Sequence, residues 1–161
     1  EEGKMYETGV IPREGVLGIW DRALNWANRI PMDIILLAVR IGIAMVFLKS
    51  GMTKTSEGLT LADQTFVLFE YEYALPLIPH EIAAYLATYA EHIFPALLIV
   101  GLGGRIAALA LLCMTAVIQF WVYPALWDIH LLWAGVLLLI VARGPGRIAL
   151  DALIQRRIGG R

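Results

Sequence analysis

The sequence predicts an all-α integral membrane protein: a four-helix transmembrane bundle preceded by an amphipathic helix lying in the membrane interface. Three observations predict it. The 161 residues are 59% hydrophobic and 17% charged, with mean hydropathy +0.69, against roughly 45–50% and 25% in soluble domains. A domain of this size buries only about 70% of its unfolded surface, so in water much of that apolar content would stay wet. Four apolar stretches approach the ~20 residues that cross a ~30 Å hydrocarbon core, and the charges between them are sorted by side. A soluble enzyme, a disordered linker and a nucleic-acid binder are excluded, and a net charge of −1 provides no global field for phosphates. One cysteine, Cys113, excludes an intramolecular disulfide and a cysteine-held iron–sulfur cluster.

The elements follow in order. Over residues 16–30, Val16, Leu17, Trp20, Ala23, Leu24, Ala27 and Ile30 recur at helical spacing opposite Asp21, Arg22, Asn25 and Arg29. That pattern predicts an interfacial helix stopped before Pro31, within an N-terminal segment of residues 1–32. It is read as an anchor, with a partner-docking face as the alternative. The bundle is expected over residues 33–143. Its spans are 33–48, interrupted by Arg40; 82–104, carrying Glu91, His92 and Pro95; 106–127, without an ionised residue; and 129–142, with His130 near its start. The last is short, so Trp127 and Arg143 are expected to complete it at the interfaces. Residues 59–79 contain Phe66, Phe69, Tyr71, Tyr73, Leu75 and Leu77, too apolar for a free loop. They are expected to fold over the outer mouth of the bundle, with Pro76 and Pro79 forcing the turn, either as a lid or as an interfacial aromatic belt. Gly144-Pro145-Gly146 breaks the fourth span and opens a basic tail, residues 144–161, with a surface helix over 148–158.

Basic residues mark one side: Lys4, Arg13, Arg22 and Arg29, then Arg105, then Arg143, Arg147, Arg156, Arg157 and Arg161. The loop after the first span is acidic, with Glu57, Asp63, Glu70, Glu72 and Glu81. The positive-inside rule places both termini in the cytoplasm. The polar N-terminus, with no apolar run before residue 30, predicts no cleavable signal peptide.

Ionisable groups within spans cost a few kcal/mol each on insertion scales, so each is a functional candidate. Glu91 stands near mid-membrane and is the candidate catalytic residue. A carboxylate there pairs with a cation or holds a proton. Arg40 is one candidate partner, in a bridge locking spans one and two; Lys49 and Lys54 are others. Arg40, Lys54, Tyr73, His92, Gln119 and His130 are the candidate ligand-binding residues, most of them converging on the outer half of the bundle. His92 and His130 together are a weak metal or haem signal, with no cysteine cluster beside them, and no metal ligand is assigned. Met114, Trp121, Tyr123 and Trp133 read as packing or interface anchors.

In order and spacing, the local motifs resemble the DoxX family. Arg40-Ile-Gly42 through Phe47, Ser50-Gly51 and Lys54 is similar to the family's first-span signature. Glu91, Leu97, Leu98, Gly101, Leu102 and Arg105 followed by Ala107 and Ala108 is similar to its second-span run. Gly144-Pro145-Gly146 with Leu150-Asp151 looks like its ending, except that Ala149 stands where the family has Ser, a departure expected to alter a helix cap. The resemblance covers roughly residues 33–155. It implies a multi-pass protein of the bacterial inner membrane, and a related subunit belongs to a thiosulfate:quinone oxidoreductase. The expected function is therefore a subunit of a quinone-linked redox system, not catalytic alone, with quinone held among Phe, Trp and Leu walls near Glu91. The alternative is a non-catalytic anchor or assembly partner of a redox, metal-stress or peptide-modifying system. Expected partners are the lipid bilayer and a protein partner or a second copy; haem or metal is the lesser cofactor reading.

Overall fold

The computed structural model describes residues 16–159, all helix and connecting turns with no strand. Lys4, Arg13 and Arg161, counted above among the basic residues, lie outside the described residues. The chain divides into two units, up to Pro31 and from Met32 onward.

In the first unit, helix α1 spans Val16–Ala27. It ends three residues short of the expected Ile30, in a tightened turn with Arg29 N donating to Trp26 O (3.0 Å) and Ile30 N to Ala27 O (3.1 Å). The residue before a proline disfavours helical backbone, which explains the early stop ahead of Pro31. Trp20 and Trp26 are exposed.

In the second unit, α2 (Met32–Met52) and α4 (His80–Val100) have 21 residues each, about 31 Å at 1.5 Å per residue. Helix α5 (Gly104–Val117) runs on through a wider π-helical turn at Ile118–Val122. These three helices are long and apolar enough to cross a membrane. Helix α6 (Trp127–Arg143), with 17 residues, is about 25 Å long and forms the fourth wall. Helix α2 packs on α4, α4 on α5, α5 on α6, and α6 returns to α2, so the ring closes. At its centre lie Ile43, Phe47, Leu98, Leu111, Leu137 and Ile140, with Ala44, Ala107 and Ala108 letting the backbones approach. Outside, Ile82, Leu86, Ile93, Ile106, Leu131 and Leu132 are exposed, an apolar surface that suits lipid.

Several span boundaries differ from expectation. The second span covers His80–Val100 rather than 82–104, closed by Gly101 in left-handed backbone. The third span ends at Val122 rather than Trp127, because Pro124 brings no N–H to a continuing helix. The fourth accordingly starts at Trp127. The first span extends four residues past Leu48, because Ser50 and Gly51 still face its neighbour α4.

Between α2 and α4, helix α3 (Asp63–Val67) passes into a π-helical turn at Leu68–Tyr73. Phe69 is buried against Ala83 and Ala84 of α4, with Leu61, Phe66 and Leu75 around it. The segment therefore covers one end of the bundle, called here the lid end. The opposite end, where α2 begins and α6 finishes, carries Arg105, Arg143 and Arg147 and is followed by α7 (Leu150–Gly159).

Candidate functional site

Two polar clusters occupy opposite ends of the bundle. At the lid end, α2 finishes and the chain turns back on itself. Lys54 N donates to Gly51 O (3.0 Å), while Lys54 O accepts from Ala62 N (3.0 Å) and Thr65 Oγ1 (2.8 Å). The turn directs the Lys54 side chain into the bundle, where Nζ donates to Glu91 Oε2 (2.7 Å), Ser50 Oγ (2.8 Å) and Ser50 O (3.2 Å). Ser50 Oγ in turn donates to Glu91 Oε1 (3.1 Å). The Lys54 and Glu91 side chains are each 5% exposed. Both ammonium and carboxylate are thus removed from solvent with hydrogen bonds satisfied, the condition under which a buried ion pair is tolerable.

Gly51 makes this contact geometrically available. A Cβ on it would lie 2.8 Å from His92 Cε1 and 3.0 Å from Glu91 Cβ. His92 cannot easily yield, because its Nδ1 is held at 2.7 Å by Thr88 O. Only a glycine lets α2 approach α4 closely enough for Ser50 to reach Glu91.

Beside the ion pair lies a cavity of about 260 Å³. Phe47, Phe69, Leu75, Met114, Ile118 and Trp133 form most of its wall, and Glu91, Ser50, Tyr73, Tyr123 and His130 bring polar atoms to it. His130 is 3% exposed; its Nδ1 lies 2.7 Å from Gln119 Oε1, and its ring stands 5.1 Å from that of Trp133, centroid to centroid. Gln119 continues the buried face of α5 after Leu111 and Thr115, at the start of the π-helical turn, whose wider winding is marked by Tyr123 N donating to Ile118 O (2.8 Å). Over the mouth, Tyr123 donates its hydroxyl to Glu72 Oε1 (2.6 Å) and meets Tyr73 edge to face at 5.9 Å. The bond to the Glu72 carboxylate holds the Tyr123 phenol above its ordinary value, and burial does the same for Tyr73.

At the other end, Arg40, 1% exposed, donates to the carbonyls of Pro145 (2.6 Å), Ile148 (2.8 Å) and Ile99 (3.4 Å). Asp151 accepts from Gly103 N (2.8 Å) and Gly104 N (3.1 Å), capping the start of α5. Asp33 Oδ1 accepts from Arg147 N (2.7 Å). A Cβ on Gly101 would meet Ala149 Cβ at 2.6 Å and Arg40 Nη1 at 2.8 Å, and one on Gly104 would meet Pro145 at 2.7 Å. The arginine of the first span, the glycines after the second and the Gly-Pro-Gly segment are therefore one structural lock. Ala149 sits at the entrance of α7, its carbonyl accepting from Ala152 N (3.2 Å), and its small side chain fits against Gly101.

Of the sequence candidates, Glu91, Lys54, Tyr73, Gln119 and His130 gather at the lid end, Gln119 behind the cavity wall and Lys54 behind Glu91. Arg40 does not join them. The Arg40–Glu91 bridge considered from the sequence is replaced by Lys54–Glu91, because the turn after Met52 brings the lysine inward and Arg40 is spent on backbone carbonyls. Lys49 is exposed on α2. His92 faces Thr88 and Gly51 rather than the cavity, so it does not meet His130 there. No group of three metal-ligating side chains occurs among the described residues. Ser50, Gly51 and Tyr123 were not singled out as site residues. For Ser50 the signal was its position four residues before Lys54, one helical turn away.

The DoxX family model matches residues 35–124, from the start of α2 through Pro124, a stretch that contains Ser50, Gly51, Lys54, Glu91 and Gln119. A protein of Haemophilus influenzae, described as an uncharacterized protein, is 28% identical over 129 residues, covering 75% of this chain and 83% of its own. No solved structure matches the chain. The match covers more than half of the chain and includes the buried Glu91 and its partners, and the chain belongs to the DoxX family.

Proposed function

We propose that the protein is a membrane subunit of a quinone-linked redox system and holds a quinone-type ring in the lid-end cavity. The observation that carries this reading is the cavity itself, an apolar and aromatic chamber of about 260 Å³ with Glu91 and His130 in its wall. Ligand pockets run from about 300 to 1,000 Å³, so this one suits a single substituted ring, whose apolar tail would lie along the lipid-facing helices. A bound quinone would supply two-electron, two-proton chemistry. The chain contributes apolar walls that exclude water, His130 and Tyr73 to orient the ring, and Glu91 to hold or return a proton within the cavity. Lys54 and Ser50 fix that carboxylate in place. Electrons come from a bound cofactor or a partner, so activity belongs to a complex. The arginine-bearing end faces the cytoplasm of a bacterial inner membrane in this reading, as the positive-inside rule directs, with the lid on the outer side.

The test is extraction of quinone from protein purified in mild detergent, alongside Ala87→Phe, which adds a ring to the cavity wall one helical turn from Glu91 and leaves the residues of the ion pair themselves unchanged. Quinone retained by the native chain and lost from the variant supports the reading; none in either, with no labelling by a photoreactive quinone, refutes it. The exposed Trp20 and Trp26 of α1 favour a second reading, an anchor that docks a partner. It requires a stoichiometric partner in mild-detergent pull-downs that is lost when both are changed to Ser.

A further inference from the structure

Hydrogen-bond direction around His130 determines what its ring can accept. Gln119 approaches Pro124 O at 2.9 Å, and only the amide nitrogen can face a carbonyl oxygen, so Nε2 donates there. Its Oε1 is then the atom 2.7 Å from His130 Nδ1. An amide oxygen only accepts, so Nδ1 carries a proton. No carboxylate lies within salt-bridge distance of His130 among the described residues, Asp128 included, and in the ring's neutral form Nε2 is then a bare lone pair. The two ring nitrogens point in nearly opposite directions. His130 is part of the cavity wall and Gln119 is not, while both border a smaller hollow with Leu112, Phe120 and Trp127, so the ring edge away from Gln119 is the one available to a ligand. It is not sealed in protein either: the buried, unpartnered side-chain polar atoms among the described residues are Arg40 Nε and Thr88 Oγ1.

Several donors near the cavity are already committed. All three Lys54 N–H groups and the Ser50 hydroxyl are committed within the Glu91 cluster, and Tyr123 donates to Glu72. The Tyr73 hydroxyl and the Trp133 indole N–H remain as donors, and the acceptors of the wall are His130 Nε2 and the free lone pairs of Glu91. A carbonyl placed against either would meet lone pair with lone pair.

We propose that the cavity recognises its ligand through a hydroxyl group donated to His130 Nε2, selecting the hydroxyl-bearing ring of a quinol or phenol over the carbonyl form. Gln119 is the positioning residue that sets the His130 tautomer. This rests on the ring-binding reading above.

The experiment is anaerobic equilibrium dialysis of the full chain in mild detergent with three probes: tetramethylhydroquinone, its dimethyl ether and tetramethylbenzoquinone. The hydroquinone is expected to bind about 10-fold more tightly than the other two, the upper end of what one net hydrogen bond provides. His130→Phe and Gln119→Met are each expected to bring the three affinities near parity while the ether's own affinity is kept. Nitrogen NMR of histidine-labelled native protein is expected to show a pyridine-type Nε2 and a pyrrole-type Nδ1 at His130, with the single tautomer lost in Gln119→Met. Equal or tighter binding of the benzoquinone by the native chain, or a pyrrole-type Nε2, overturns the proposal while leaving ring binding intact. Failure of all three probes to bind refutes ring binding itself, and the proposal with it.

Discussion

Removing one partner of the Lys54–Glu91 pair leaves a buried charge without its counterion. With Nζ 2.7 Å from Oε2 and both side chains 5% exposed, solvent cannot replace the lost partner. Breaking a pair of this kind costs about 3–5 kcal/mol, whereas replacing both members by apolar groups of similar volume is often neutral. Lys54→Met and Glu91→Leu should therefore each lower unfolding stability by that amount, a shift of about two to three and a half decades in the unfolding equilibrium at 1.4 kcal/mol per decade. The double variant should lie close to the native chain, giving a coupling energy of several kcal/mol. Denaturant unfolding in mixed micelles, followed by circular dichroism, measures the cycle. Single variants within about 1 kcal/mol of native, the usual range of solvent-exposed pairs, would refute the burial argument. So would strictly additive losses, since sites that do not interact add.

Gly51→Ala should separate α2 from α4, because the new Cβ would stand 2.8 Å from a His92 ring held by Thr88. A loss of about 1–3 kcal/mol in the same unfolding assay is expected, and unchanged stability would contradict the close approach. Arg40→Lys replaces a guanidinium that serves Pro145 O and Ile148 O together with an ammonium that cannot span both. It should cost about 1.5–3 kcal/mol while leaving probe binding at the lid end unchanged; loss of binding with stability preserved would place Arg40 in the site instead. The Tyr123 phenol is raised above its ordinary value of 10, so its bond to Glu72 contributes fully at pH values below that and is lost only as pH climbs through the higher folded value. Protection factors across residues 63–73, taken relative to the intrinsic amide exchange rate at each pH, should hold at neutral and mildly alkaline pH and fall at strongly alkaline pH, and should be lower throughout in Tyr123→Phe. A fall in native protection already below pH 10 would sink that account.

Much of the architecture was legible because bilayer thickness constrains helix length. Apolar runs near 20 residues, interrupted by Pro or Gly, mark spans whether or not their partners are known. The lid was legible for a similar reason: Phe66, Phe69 and Leu75 had to be covered by something. Glu91 stood out because a carboxylate at depth is expensive. Its partner did not, since choosing among Arg40, Lys49 and Lys54 requires knowing that the chain reverses after Met52 and that Gly51 admits a close approach. Arg40 misled for a different reason. Its acceptors are main-chain carbonyls of Pro145 and Ile148, more than a hundred residues away, and carbonyl direction leaves no trace in side-chain identity. The overrun of the third span past Val122 has a local cause: residues 118–127 are apolar enough to continue it, and hydropathy does not register the N–H that Pro124 lacks.

The central claim is that a ring occupies the chamber between α2, α4, α5 and α6. Photolabelling of the native chain with a photoreactive short-chain quinone, followed by mass-spectrometric mapping, tests it most directly. The account predicts adducts on Phe47, Met114 or Trp133, displaced by excess unlabelled ring and absent from Ala87→Phe. Labelling confined to lipid-facing residues such as Leu86, Ile106 or Leu132, undiminished by competitor, would contradict it.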